Sequence, residues 1–279
     1  MGQGVTTSDR RAAPLGVFDS GLGGLTVVRA LREAMPWESI VYLGDTARLP
    51  YGTKAPSTVV RYALSCSKHL VARGVKALVI ACNTVSAVAP ERLRIELDVP
   101  VLTVVGPGAR AAVAASRTGR IGVLATAGTI ASGAYPRAVA QVSTRAEVVG
   151  QPAPMLVPLA EEGWVEGEVP RLVVDRYVDP LARAGVDTVL LGCTHYPLLR
   201  PVIEASVRGR IGPNAAVVDS AHATAADVLA FLESRSLSNS ERLRAPSVRL
   251  LVTDVPRAFA EMAARFLGND VPDVEEVDL

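Results

Sequence analysis

Short apolar runs alternate with amphipathic stretches along nearly the whole chain, and this alternation constrains the fold more than any other feature. Leu15–Phe18, Ile40–Leu43, Ala77–Ala81, Val101–Val105, Ile121–Leu124, Thr188–Leu191, Val217–Val218 and Val248–Val252 read as buried strands. Between them, Thr26–Met35, Ser57–Arg73, Pro170–Ala184, Ala221–Glu233 and Pro256–Leu267 carry helical patterns, and Gly74 and Gly185 stand where helix C-caps are expected. Strands that alternate with helices form parallel sheets covered by helices on both faces. The expected class is therefore α/β.

Composition agrees with that class and removes others. With 49% hydrophobic and 20% charged residues among 279, the chain can bury a large core. Aromatic residues are only 4%, so Val, Leu, Ile and Ala must fill it. A net charge of +1 offers no basic footprint for nucleic acid. Lys54, Lys68 and Lys76 are the only lysines, which leaves few candidates for a Schiff-base cofactor. No apolar run approaches the roughly 20 residues that span a bilayer, so no membrane association is expected. Residues 1–13 lack the apolar centre of a secretory signal and read as a short flexible tail. The expected location is cytoplasmic, where three cysteines are thiols rather than a disulfide framework. The polar stretch Ser234–Arg244 reads as a surface loop.

An internal echo narrows the architecture. Leu78-Val79-Ile80-Ala81-Cys82-Asn83-Thr84 matches Val189-Leu190-Leu191-Gly192-Cys193-Thr194-His195 in kind: an apolar strand, a small residue, a cysteine, then polar groups. Phe18-Asp19-Ser20 and Val218-Asp219-Ser220 echo each other as well. Two related halves facing one another across a cleft would produce this. In open α/β sheets, ligand groups gather at the carboxyl ends of strands, where Asp19, Asp45, Cys82 and Cys193 would fall.

One cysteine at a strand end is ordinarily a small buried hydrophobe. A pair in equivalent settings is harder to dismiss, and its wide separation fits neither a metal knuckle nor a CxxC redox pair. A zinc site built from both with His195 is the minor alternative. Cys66, inside a helical pattern, reads as packing. Two thiols on opposed loops suit proton transfer at both faces of one carbon: one removes a proton as thiolate while the other delivers one as thiol. A thiol near pKa 8.5 is tunable by its neighbours, so it serves both states. Asp19, Ser20, His195 and the pair Glu161-Glu162 are further candidates. Each also has a structural reading: a turn and N-cap, a hydrogen-bonded histidine, a solvated helix start. Gly21-Leu22-Gly23-Gly24 suits a tight turn or an anion, but it is not G-x-G-x-x-G and no Walker lysine follows. A nucleotide-binding oxidoreductase thus lacks its phosphate fingerprint, and a catalytically dead binding scaffold would not need both thiols.

The blocks Phe18–Gly24, Gly44–Gly52, Ala81–Thr84 and Gly192–Pro197 resemble the glutamate racemases of the aspartate/glutamate racemase superfamily, with Ala125–Thr129 and Val218–Ser220 as further shared blocks. The resemblance runs from about residue 14 to about 268, and Gly192-Cys193-Thr194-His195-Tyr196-Pro197 is its most diagnostic part. It implies two similar parallel-sheet α/β domains facing each other across an active-site cleft: residues 14–105 with 216–268, and 106–215. It implies interconversion of L- and D-glutamate with no cofactor and no metal, supplying D-glutamate for peptidoglycan. Cys82 would be the base for D-glutamate and Cys193 the base for L-glutamate, with Asp19 assisting at the first and His195 at the second. A middle-domain glutamate is also implied; Glu161 is favoured over Glu162. Ser20, Pro50, Tyr51, Gly52, Asn83, Thr84, Thr126, Thr129 and Thr194 match positions that hold the substrate. Hydroxyl and backbone N–H groups satisfy two carboxylates without a buried arginine, and donors at the α-carboxylate stabilise charge as the carbanion forms. A racemase of the same superfamily acting on aspartate or another small amino acid is the alternative. The partner is the small-molecule substrate glutamate, no nucleic acid is needed for activity, and whether the chain forms a homodimer is left open.

Overall fold

The computed structural model describes residues 7–241, 245–255, 259–268 and 271–279. Among these, the strands are β1 (Leu15–Asp19), β2 (Ile40–Gly44), β3 (Ala77–Ile80), β4 (Val101–Thr103), β5 (Arg120–Ala125), β6 (Glu147–Pro152), β7 (Thr188–Gly192), β8 (Ala216–Asp219), β9 (Val248–Val252) and β10 (Val274–Glu276). They pair in parallel into two sheets, ordered β10-β9-β2-β1-β3-β4 and β6-β5-β7-β8. Parallel neighbours cannot be joined by a hairpin, so helices carry the crossovers and cover the faces. That is why β1, β2, β3 and β7 are buried at every position.

Both sheets use the same local topology. The chain goes from β1 to β2 on one side and to β3 on the other; it goes from β5 to β6 on one side and to β7 on the other. Each central strand therefore ends at a switch point, where neighbouring loops diverge and leave a crevice. Cys82 follows β3 and Cys193 follows β7, so the two cysteines occupy equivalent places. The first internal echo is a repeat of topology. The second is not: Asp19 ends β1 beside a switch point, whereas Asp219 ends β8 at an edge. Asp219 instead caps the helix Ser220–Ser234 by accepting from the Ala221 N–H at 2.9 Å, and it pairs with Arg200.

Aliphatic side chains fill the core on both faces of each sheet, as the scarcity of aromatics requires. Gly74 and Gly185 have left-handed φ values of 75° and 68° directly after the helices Pro56–Ala72 and Glu168–Arg183, as C-cap glycines should. The helix expected over Pro256–Leu267 is described as Phe259–Leu267, since residues 256–258 lie outside the described set.

Several expectations need correction. Strand β8 pairs with β7, Thr188 facing Ala216, so residues 216–219 belong to the four-stranded sheet and not with the first. Strand β10 extends the six-stranded sheet beyond residue 268. Residues 7–12 of the supposed tail form a helix; residues 1–6 lie outside the described set. Its Arg11 donates to Ser238 O at 3.0 Å, and Lys76 Nζ donates to Arg11 O at 2.8 Å. The stretch 234–244 is not simply a surface loop, because Ser238 and Asn239 are buried. Glu38 accepts from the Asn239 N–H at 2.7 Å while its other oxygen pairs with buried Lys76. Residues 242–244 are outside the described set. The run expected as a strand over Val101–Val105 stops at Thr103, and Val105 begins a helix.

Candidate active site

The carboxyl ends of the two sheets wall a single narrow cavity. Cys82 and Cys193 both line it and are 5% and 7% exposed. Each sits where an extended strand turns into helical backbone, so its position is set by the sheet beneath it.

At the first wall, the Cys82 thiol donates to Ser20 Oγ at 3.3 Å; that hydroxyl can turn and donate to a thiolate. Burial pushes the Cys82 thiol up to about 12, aided by the negative charges of Asp19 and Cys193 and opposed by the Ser20 hydrogen bond and the Val85 N–H. Resting Cys82 is therefore a protonated thiol, a group that can give a proton. Asp19 is wholly buried behind it. Burial raises the Asp19 carboxyl, against the lowering effects of His195 and of N–H groups at Gly24, Gly21 and Ser20. One of its oxygens accepts from the Gly21 N–H at 3.0 Å, and the other has no hydrogen-bond partner among the described residues.

The second wall is built differently. His195 Nδ1 lies 3.8 Å from Cys193 Sγ, and its Nε2 lies 3.1 Å from Glu161 Oε1. Burial alone would strip the ring's proton, but hydrogen bonds to Cys193 and Glu161 and their negative charges lift His195 to about 10. The ring is thus an imidazolium at neutral pH, held between a sulfur and a carboxylate. Phe266 meets it edge-on at a centroid distance of 5.6 Å. Arg265, from the same helix, donates to the carbonyl of Glu161.

Room for this arrangement comes from glycine. A Cβ on Gly23 would stand 2.3 Å from Thr194 Oγ1 and 2.5 Å from His195 Nδ1. The glycine-rich turn therefore lets the loop after β1 approach the loop after β7. The single proton of Thr26 Oγ1 lies between Gly23 O at 2.9 Å and, across the same gap, Thr194 O at 3.2 Å.

Residues 49–52, at the end of the loop after β2, make a third side of the cavity. Buried Asp45 organises it: its carboxylate accepts from Arg48 Nε at 2.7 Å, from Thr253 Oγ1 at 2.9 Å and from the Tyr51 hydroxyl. Opposite, the hydroxyls of Thr84, Thr126 and Thr129 stand 3.0–3.3 Å apart, joining the loop after β3 to the loop after β5.

Of the residues singled out from sequence, Ser20, Pro50, Tyr51, Gly52, Asn83, Thr84, Thr126 and Thr194 line the cavity, together with Cys82, Cys193, His195 and Glu161. Asp19 and Thr129 stand behind that lining. Glu161 rather than Glu162 makes the His195 contact. Sequence reasoning gave no role to Leu49, though it lies within the Gly44–Gly52 block, and it missed Val157, which belongs to no shared block; both line the cavity. It also missed Arg265 and Phe266, because a contact from a distant helix leaves no local pattern. Cys66 is fully buried in the core as expected, though Arg48 Nη2 approaches its sulfur at 3.5 Å. Among the described residues, no three His, Cys, Asp or Glu side chains are grouped to hold a metal ion, and no helix is long and apolar enough to cross a membrane.

Comparison with known proteins gives one consistent answer. The family profile described as Asp/Glu/Hydantoin racemase matches residues 25–228. Glutamate racemase from Neisseria meningitidis is 47% identical over 270 residues, covering 96% of this chain and 98% of that protein. The crystal structure of glutamate racemase from Francisella tularensis in complex with D-glutamate superposes with a TM-score of 0.87 at 34% identity, covering 96% of this chain and 98% of the other. Glutamate racemase from Thermus thermophilus, in complex with β-chloro-D-alanine, gives 0.85 at 41% identity over the same shares.

Proposed function

This chain belongs to the Asp/Glu/hydantoin racemase family, as one of its glutamate racemases, and from that premise we propose that it interconverts L- and D-glutamate by a two-base reaction between Cys193 and Cys82. The observation that carries the mechanism is the pair of buried thiols at equivalent switch points on opposite walls of one cavity. With L-glutamate, the Cys193 thiolate takes the α-proton and the Cys82 thiol delivers its proton to the opposite face. Cys193 ends as thiol and Cys82 as thiolate, and exchange with solvent resets both. With D-glutamate the roles reverse.

The flanking groups fit this division. The His195 imidazolium, held by Glu161, is the charge partner of a thiolate at Cys193. Asp19, buried with a raised pKa and acting on Cys82 through its charge, receives that thiol's proton in this reading when Cys82 must act as base. The hydroxyls of Ser20, Thr84, Thr126 and Thr194, the amide of Asn83 and the backbone of Pro50–Gly52 bind the substrate's charged ends, with the Thr129 hydroxyl holding those of Thr84 and Thr126 from behind. These donors assist most where negative charge grows on the α-carboxylate side. The reaction uses no cofactor, and the product D-glutamate serves peptidoglycan synthesis in the cytoplasm.

Isotope transfer tests the mechanism. In deuterated water, D-glutamate formed early from L-glutamate should carry solvent deuterium at Cα, while the remaining L-glutamate stays unlabelled. The D-to-L reaction should mirror this. Mass spectrometry of both enantiomers at low conversion is the measurement, and substantial unlabelled product would mean that one base serves both faces.

A further inference from the structure

Tyr135 lies in the helix Ala134–Val142 beside the four-stranded sheet, is 1% exposed, and does not line the cavity. Its hydroxyl nevertheless reaches across to the other sheet and donates to Asn83 Oδ1 at 2.6 Å. Asn83 directly follows Cys82, lines the cavity and is 3% exposed. Its Nδ2 is buried and has no hydrogen-bond partner among the described residues.

A primary amide has an accepting end and a donating end, and a half-turn of the side chain exchanges them. A buried phenol that stays protonated, and whose proton goes to this amide, selects the orientation that offers it the carbonyl oxygen. Burial, and then the charge of Cys193, push Tyr135 far above the ordinary phenol range, so its hydroxyl remains a donor at any pH where the protein works. The phenol thus engages the carbonyl end of Asn83 and leaves the donating end without a protein partner. A buried N–H without a partner is costly unless something satisfies it. In a cavity that takes a dicarboxylate, the substrate does so.

We propose that Tyr135 is a positioning residue for substrate binding: its hydroxyl fixes the Asn83 amide so that Nδ2 faces the cavity as a donor to a glutamate carboxylate. This rests on reading the cavity as the glutamate site. Without the hydroxyl, the Asn83 amide can turn over and present its oxygen to a carboxylate, which repels it. The bond also joins the two sheets, so the donor is aligned only when the walls are together.

Tyr135→Phe keeps the ring, which packs against Gly192, and removes only the hydroxyl. The experiment compares wild type, Tyr135→Phe, Asn83→Ala and the double variant by polarimetric assay with L- and with D-glutamate, alongside thermal melts. An amide that holds a carboxylate equally in ground and transition states contributes uniform binding, so its loss raises KM and leaves kcat nearly unchanged. Tyr135→Phe should raise KM about tenfold for both enantiomers, in the range expected for an unmade hydrogen bond to a charged group, with kcat within about twofold. The double variant should be no worse than Asn83→Ala. Wild-type KM in Asn83→Ala would remove Asn83 from substrate binding and overturn the reading on which the proposal rests. A raised KM in Asn83→Ala with an unchanged KM in Tyr135→Phe would overturn the proposal alone. So would additive losses in the double variant, a fall in kcat instead of a rise in KM, or a Tyr135→Phe protein that does not fold.

Discussion

The two thiols are chemically equivalent as residues and are made unequal by their neighbours. Cys82 faces the carboxylate of Asp19, which helps burial push it up to about 12; Cys193 faces an imidazolium. Replacing either by Ser should abolish racemisation, because a hydroxyl neither ionises nor donates as a thiol does, whereas Cys66→Ser should leave the rate within about twofold. Measured activity in Cys82→Ser would remove it from the chemistry. The assisting groups predict an asymmetry. Enantiomers have an equilibrium constant of one, so kcat/KM must be equal in both directions whatever is mutated. Asp19→Asn should therefore show its bias in kcat and KM separately, lowering kcat more with D-glutamate, for which Cys82 is the proposed base. Equal falls in kcat for both enantiomers would count against the assignment. The ring of His195 gives a pH prediction. It is lifted to about 10, so the charged form is complete below neutrality and is lost as the pH rises through that value. The kcat/KM profile, which reports the free enzyme, should decline on its alkaline side near pH 10. Glu161→Gln removes an anion that favours the charged ring, so that decline should move to lower pH. An unmoved alkaline limb would separate Glu161 from the titration.

At the scale of elements, the site depends on how closely two loops can approach. The turn after β1 carries glycine where the loop after β7 would otherwise collide with it. Gly23→Ala puts a methyl group into the space of Thr194 and His195, and both side chains are buried with little freedom to yield. The expected result is a fall in kcat of at least a hundredfold, because small misplacements of reacting groups are costly, with thermal stability lowered by about 1–3 kcal/mol for the overpacking. Near-normal kcat with both enantiomers would mean that the loop relaxes freely. The sequence made this junction visible only as a glycine-rich turn, open to an anion-binding reading, because the residue that needs the space is far along the chain. Elements whose apolar pattern is continuous, such as β1, β3 and β7, were legible from their own residues. Strand β6 was not: Glu147–Pro152 is an edge strand, only half covered, and its mixed Glu-Val-Val-Gly-Gln-Pro pattern resembles a loop. Strand β10 has three residues, too few to show any period. The two cysteine blocks were legible because the same local topology recurs after β3 and β7. The match of Val218–Ser220 to Phe18–Ser20 misled, because Asp-Ser after a strand equally makes an ordinary helix cap.

At the scale of the whole molecule, neither sheet makes the site alone. Asp19, Cys82, Asn83 and Thr84 come from the six-stranded sheet and its loops, and Thr126, Cys193, Thr194 and His195 from the four-stranded one. The walls are tied by Tyr135 to Asn83 and by Arg265 to Glu161. The thiols are only 5% and 7% exposed, so under the proposed mechanism the walls should have to part for any reagent or substrate to reach them. Two measurements follow from one equilibrium. Alkylation of Cys82 and Cys193 by iodoacetamide should be slow beside that of a free thiol, and Cys66, fully buried in the core, should be slower still. Glutamate bound across both walls should favour the closed arrangement and slow the labelling of both active-site thiols together. The same binding stabilises the folded protein by mass action, by about 2.7 kcal/mol when free ligand is a hundredfold above its Kd. For a chain of this length that corresponds to a rise in Tm of about 5 °C. A ligand that touched one wall only would protect one cysteine and leave its partner's labelling rate unchanged. Mass-spectrometric peptide mapping of the alkylated cysteines, with and without glutamate, reads the difference, and protection confined to Cys82 or to Cys193 would mean that the substrate does not bridge the sheets.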